Sequence, residues 1–191
     1  MRPLEGITVV ALEHVIAGPF CTRQLADLGA RVIKIERPGG GDPTRAYDDR
    51  VNGLASHFVW TNRSKESITL DLKQPQGLEV VHKLLQGADV LLQNLAPGAS
   101  ERMGFSYEQL KEEFPSLIFC SITGFGKTGP YAHRTRYNLL SQGLGGVISI
   151  IDGPEGHPMK VGVSISDIMC GMYASVSILA AILHRDLIGK G

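Results

Sequence analysis

A surplus of charge of either sign is missing from this sequence: Lys+Arg and Asp+Glu each number 19 in 191 residues, for a formal net charge of zero. That balance excludes a broad basic field for nucleic acid, although a few arginines can still build a local anion site. Cysteine is scarce too. Cys21, Cys120 and Cys170 stand far apart with no C-x-x-C pair, which excludes a disulfide scaffold and suits thiols in a reducing compartment. The scattered histidines form no H-E-x-x-H, so no protein-ligated metal is expected. The start, MRPLEGITVVALE, has no apolar signal region and runs straight into a strand pattern. Ile168 to Leu183 is mostly apolar, but it is short for a membrane span and is interrupted by Gly171, Ser175 and Ser177; a buried helix is expected. The expectation is a cytoplasmic protein with neither membrane nor nucleic acid as partner.

Several motifs are also absent. The turn after the first apolar run, Glu13-His14-Val15-Ile16-Ala17-Gly18-Pro19, lacks G-x-G-x-x-G, so its backbone cannot approach a pyrophosphate as dinucleotide folds do, even though Glu36 stands where a ribose-binding acid would. No G-x-x-x-x-G-K-[ST] and no G-x-S-x-G occur, which removes the P-loop and the serine-hydrolase elbow.

What is present is alternation. Short β-branched runs at Ile7 to Leu12, Arg31 to Glu36, Ser67 to Leu72, Asp89 to Asn94 and Leu117 to Ile122 read as strands. Helical patterns lie between them at Pro19 to Leu28, Pro75 to Gln86 and Tyr107 to Phe114, and a long small-residue helix runs from Ser164 to Ile188. This predicts an α/β, Rossmann-like, mostly parallel sheet with helices on both faces and a long C-terminal helix. Ligands in such sheets sit at the carboxyl ends of the strands. That directs attention to His14 to Gly18, Arg37, Lys73, Asn94 to Pro97 and Thr123 to Gly126.

Arg37, Lys73, Arg102, Arg134 and Arg136 are separated cations near those ends. Arginine's planar fork suits phosphate oxygens, but composition alone favours ordinary solvated charge. Asp167 sits between an apolar strand-like run, Val161 onward, and the long helix. By spacing it is either a first-turn aspartate stabilised by backbone N–H groups or a nucleophile, and the two roles are compatible. Cys21 near a helix start reads as a structural thiol, and His14 and His133 as polar loop residues.

Taken in order, Pro3-Leu4-Glu5-Gly6-Ile7, Ala17-Gly18-Pro19-Phe20, the run Leu28 to Pro38, Gly41-Asp42-Pro43-Thr44-Arg45, Asn62-Arg63-Ser64-Lys65, Leu70-Asp71-Leu72-Lys73, Asn94-Leu95-Ala96-Pro97-Gly98 and Arg102-Met103-Gly104 resemble the class III CoA-transferases along essentially the whole chain. The resemblance implies that residues 1–191 are the N-terminal large CoA-binding domain, with the second half of the family's chain absent, and that the full-length protein is an interlocked homodimer. It implies coenzyme A, as acyl-CoA, and a carboxylic acid as substrates, with Asp167 as the covalent nucleophile. Ile16 and Ala17 would border the CoA moiety, and Arg37 and Arg102 would contact its phosphates or nucleotide. Leu70, Asp71, Leu72 and Lys73 would line the adenine side, Asn94, Leu95 and Ala96 the pantetheine path, and Arg136, Tyr137 and Asn138 the thiol end. Tyr137-Asn138 stands where many relatives have Tyr-Asp. The racemase branch has a His at the position of Tyr137, and its absence argues against α-proton exchange. An acyl-CoA racemase of the same fold and a non-catalytic CoA-binding fragment are the alternatives. In the loop Thr44 to Leu54, Arg45 and Arg50 are expected to pair with the second carboxylate of a dicarboxylic acid.

Overall fold

The computed structural model describes residues 1–135, 137–151, 153 and 156–191. Five strands, β1 (Thr8–Leu12), β2 (Arg31–Glu36), β3 (Glu66–Thr69), β4 (Val90–Gln93) and β5 (Ile118–Ser121), form one sheet in the order β3-β2-β1-β4-β5. Every adjacent pair is parallel. The helices are α1 (Ala17–Asp27), α2 (Ser56–Asn62), α3 (Pro75–Leu85), α4 (Ala99–Arg102), α5 (Tyr107–Glu113), α6 (Asn138–Leu144) and α7 (Ile165–Ile188), with short 3₁₀ turns at Pro43–Ala46 and Val147–Ile150.

The central strand is apolar on both faces because both faces are covered. Val9 and Ala11 point to one side, into a core that includes Cys21 and Leu25 of α1 and Ala174, Ile178 and Ile182 of α7. Val10 and Leu12 point to the other, against Val81 and Leu85 of α3 and Leu110 of α5. Each of these large aliphatic side chains contributes about 1.5–3 kcal/mol by leaving water.

Some boundaries differ from the sequence expectation. β3 stops at Thr69, with Leu70 N–H donating to the Glu36 carbonyl at 2.9 Å as the last rung. Beyond Glu36 the chain turns at Pro38, so Leu70 to Lys73 have no strand to pair with and form a turn, closed by the Asp71 carboxylate accepting the Lys73 N–H at 3.0 Å. The strand-like run at Val161 is a bend that leads into α7. Helices α2 and α6 carry no sequence signal. Both lack a side-chain N-cap bond, and α6 exposes Leu139, Leu140 and Leu144. The start of α2 is held instead by Asp48, whose carboxylate accepts the Ser56 N–H at 2.8 Å and hydroxyl at 2.6 Å.

The long helix is only half-buried, not buried as expected. By length and composition it could cross a membrane. Here, though, one stripe (Gly171, Ala174, Ser175, Ile178, Ile182) seats on the domain, and Arg185 near its end pairs with Asp89 at 2.8 Å. Met169, Met172, Tyr173 and Val176 remain exposed. Gly171 makes the seating possible: a Cβ there would lie 2.7 Å from the Ala17 carbonyl oxygen and 3.0 Å from Phe20 Cδ1. Gly171→Ala should therefore push α7 off α1 and cost about 1–3 kcal/mol in denaturant unfolding of the full-length protein; a neutral substitution would show that the contact is not tight.

Candidate active site

Order reversal in a parallel sheet leaves a crevice between the two strands whose crossovers leave in opposite directions, here β1 and β4. Their ends are locked together. Asn94, just after β4, accepts the His14 N–H at 2.9 Å through Oδ1 and donates Nδ2–H to the His14 carbonyl, also at 2.9 Å. The next residue, Val15, has a left-handed φ of 66°. Gly18 lies so close beneath this pairing that a Cβ would come within 3.0 Å of Glu13 Cβ and 3.1 Å of Asn94 Cγ.

Two cavities open from this crevice. The larger, about 750 Å³, lies over the ends of β2, β1 and β3. Its floor is apolar, with Ile35, Leu70, Leu72, Leu78 and Met103, and Arg37, Lys73 and Arg102 bring cations to it. Such a cavity fits a flat heteroaromatic ring with phosphates attached. Arg37 is pre-set, its Nε donating to the Gly41 carbonyl at 3.0 Å. The smaller cavity, about 230 Å³, is lined by Ala17, Asn94, Ala96, Arg134, Tyr137 and Asp167, among others. His14 and Leu95 line both cavities, so the two adjoin.

Of the residues proposed from sequence, Arg37, Leu70, Asp71, Leu72, Lys73, Leu95 and Arg102 come together in the larger cavity. Ala17, Asn94, Leu95, Ala96, Tyr137 and Asp167 come together in the smaller. Asp167 sits in the first turn of α7, where the backbone N–H groups lack partners within the helix and the helix dipole favours a negative charge. Ile16 does not join them: its side chain is buried and lines neither cavity. Asn138 lies behind the site, its Oδ1 accepting the Ser166 N–H at 3.1 Å, so it steadies the turn that carries Asp167. Arg136 lies outside the described residues.

Arg45 cannot wait for a substrate carboxylate, because Glu36 already holds it. The guanidinium meets both Glu36 oxygens at 2.8 and 2.7 Å and stacks 3.7 Å over the Phe58 ring. Arg50 lies on the exposed surface and lines neither cavity. The same pairing takes Glu36 away from any ribose. Burial alone would raise its carboxyl, but Arg45, the Ser67 hydroxyl and the Asp42 N–H outweigh burial and bring it down to about 2.

Sequence reasoning missed two features. Tyr47 stands close enough to Asp167 and Tyr137 that they add to burial and Asp42 in raising its phenol. A buried cluster of Glu13, Lys34, Asp42 and Lys65 lies under the β1–α1 turn. Lys34, a charge in the buried middle of β2 between Ile33 and Ile35, is the residue that could have signalled it. Burial pushes the Cys21 thiol up, and that of Cys120 up to about 12, which keeps both protonated. His14 is held below its usual range, mainly by burial. Among the described residues no group of three or more His, Cys, Asp or Glu is arranged to hold a metal.

Fold and crevice together define a doubly wound α/β domain with two adjoining cavities at its switch point and a carboxylate on the wall of the smaller. The chain belongs to CoA-transferase family III, whose family model matches residues 4–191. It is 45% identical to a succinate–glutarate CoA-transferase of Agrobacterium fabrum over 99% of this chain and 49% of that one. It is 42% identical to a succinyl-CoA:glutarate CoA-transferase of Mus musculus over 100% of this chain and 44% of that one. A crystal structure of a CAIB/BAIF family protein from Brucella suis superposes with a TM-score of 0.94 at 42% identity, covering all of this chain and 51% of that one. The chain thus spans about half the length of the curated relatives it matches.

The Glu36 cluster predicts an acid limb in stability. A carboxyl with a folded-state value near 2 contributes stability that is full above its unfolded value of about 4.5 and is lost as pH falls through 2. Replacing Glu36 by Gln should remove a limb on the order of 3 kcal/mol between pH 5 and 2 in urea titrations. A variant that keeps the wild-type slope would contradict the pairing.

Proposed function

We propose that this chain carries the CoA site and nucleophile of a transferase that moves coenzyme A from an acyl-CoA thioester to a carboxylic acid. One observation carries the reading. Asp167 lines a cavity with Asn94 and Ala96, and that cavity adjoins through His14 and Leu95 the larger one bearing Arg37, Lys73 and Arg102. An extended acyl-CoA laid along this path puts its nucleotide among the cations and its thioester beside a carboxylate.

The reaction needs no net proton transfer. A carboxylate oxygen of Asp167 attacks the donor thioester carbon, and the C–S bond breaks to give a mixed anhydride and CoA thiolate. The thiolate attacks the aspartyl carbonyl and expels the donor acid, leaving an aspartyl-CoA thioester. The acceptor carboxylate attacks that carbonyl and frees the thiolate again, which then takes the acceptor acyl group and restores the aspartate. Carboxylates are ionised at neutral pH and leave readily from anhydrides, which suits an aspartate to both roles. The first-turn N–H groups of α7 are oriented to offset charge building on the aspartyl carbonyl.

The acceptor in this reading is a dicarboxylic acid, supported by the names of the two relatives, both of which couple succinate or its CoA ester to glutarate. Arg134, on the wall of the Asp167 cavity, supplies a cation for the second carboxylate in place of Arg45. The exposed apolar face of α7 supports a homodimer for the full-length protein, and the absence of disulfides among the three cysteines fits a cytoplasmic setting.

In full-length enzyme, Asp167→Ala should lower kcat by at least about 10⁴-fold, and hydroxylamine should convert Asp167 to a hydroxamate detectable by mass spectrometry only when acyl-CoA is present. Transfer by the Ala variant at wild-type rate would refute the mechanism. Arg102→Ala should raise KM for acyl-CoA about tenfold with kcat changed less than about threefold, since it removes binding remote from the reacting carbon.

A further inference from the structure

The turn after β1 rests on charges that water does not reach. The side chains of Glu13, Lys34, Asp42 and Lys65 are each no more than 2% exposed. Lys34 Nζ lies 2.8 Å from Asp42 Oδ2 and 3.6 Å from Glu13 Oε1, and Lys65 Nζ lies 2.8 Å from that same Glu13 oxygen. The remaining bonds are filled: Lys65 also donates to the Pro19 carbonyl at 2.9 Å and to Asn62 Oδ1 at 3.2 Å, and the Thr22 hydroxyl donates to Glu13 Oε2 at 2.7 Å. Buried ion clusters are generally no more stabilising than apolar groups of equal volume, so stability alone does not explain two cations and two anions here.

What the cluster touches gives the reason. Asp42 Oδ1 accepts the Val15 N–H at 3.1 Å, along with the Thr44 N–H at 3.0 Å and hydroxyl at 2.8 Å. Val15 is β-branched and holds a φ of 66°, a conformation that persists only where its surroundings impose it. Asp42 grips it from below, and Asn94 grips the residue before it. Asp42 and its neighbours Gly41 and Pro43 also line the larger cavity, while the turn that Asp42 holds leads from His14, shared by both cavities, to Ala17 in the Asp167 cavity.

We propose that Asp42, itself held by Lys34, is a positioning residue that bolts the Arg37–Pro43 loop to the Glu13–Ala17 turn. Seating the nucleotide end of an acyl-CoA then fixes the turn beside the thioester end. Remote binding energy raises kcat only if the two ends of the site move as one body. This rests on the transferase reading above.

The test uses full-length protein with two donors bearing the same acyl group, acyl-CoA and acyl-pantetheine. Lys34→Met/Asp42→Ala removes a cation and an anion together and deletes the acceptor for Val15. Lys34→Met/Asp42→Asn removes the same charges but keeps that acceptor, and the methionine spares the new amide a clash with an ammonium. The Ala variant should bind CoA within about threefold of wild type by calorimetry, yet lose about 30-fold in kcat with acyl-CoA and little with acyl-pantetheine; the Asn variant should recover most of the loss. Equal losses with both donors, or no recovery with Asn, overturn the proposal. If the Ala variant does not fold, Val15→Gly loosens the same turn while keeping every buried charge and relieving the left-handed φ; it should show the same donor-dependent loss, and an undiminished acyl-CoA advantage overturns the proposal. Hydrogen–deuterium exchange supplies a readout without turnover. CoA should slow the amides of residues 13–17 in wild type and the Asn variant but not in the Ala or Gly variant, and equal protection throughout also overturns the claim. A wild type that binds CoA but transfers it to no acid would sink the transferase reading, while the exchange comparison would still decide the positioning claim.

Discussion

The site depends on how two adjacent strand ends are tied. At the carboxyl ends of β1 and β4 the ladder stops, and the backbone groups of His14 have no further strand to pair with. Asn94 satisfies both of them, accepting from the N–H and donating to the C=O. A side-chain amide is the shortest group that carries one donor and one acceptor in this geometry. Leaving either group of His14 unpaired in this half-buried place would cost about 1–3 kcal/mol and would free the turn. With the turn fixed, His14 lies between two cavities, and glycine at position 18 suits the space under the pairing, where a Cβ would crowd Glu13 and Asn94.

The candidate nucleophile reaches the crevice by a different route. Asp167 is far from the strands in sequence and belongs to a helix with only one buried stripe. Close approach of α7 to α1 at Gly171 brings the first turn of α7 to the strand ends. The side-chain Oδ1 of Asn138 ties that turn to α6 by accepting the Ser166 N–H. Packing at Gly171 and the Asn138–Ser166 hydrogen bond therefore help set where the first turn of α7, and with it Asp167, stands.

Much of this was legible beforehand, for physical reasons that differ by residue. Parallel strands buried on both faces write themselves as runs such as Thr8-Val9-Val10-Ala11-Leu12, and a sheet covered on both sides confines ligands to its carboxyl edge. Arg37, Lys73 and Asn94 to Ala96 were singled out that way, and they line the two cavities, whereas Leu70 to Leu72 came from the family resemblance. Arg45 was misread because nothing local shows that Glu36, nine residues earlier, returns to meet its fork. Burial of the Ile16 side chain was equally out of view, since the fold around the β1–α1 turn sets it. Helices α2 and α6 left no trace because anchors distant along the chain or in space, such as Asp48, take the place of caps.

By itself the sequence determined the sheet, its two apolar faces, the crevice edge and the aspartate at a helix start. Those follow from periodicity and from local backbone chemistry, which act over a few residues. Only the tertiary structure decided which charges are spent on one another and which face the ligand. A buried carboxylate takes whichever cation the fold brings within about 3 Å, and pairing at that range depends on distance in space rather than along the chain.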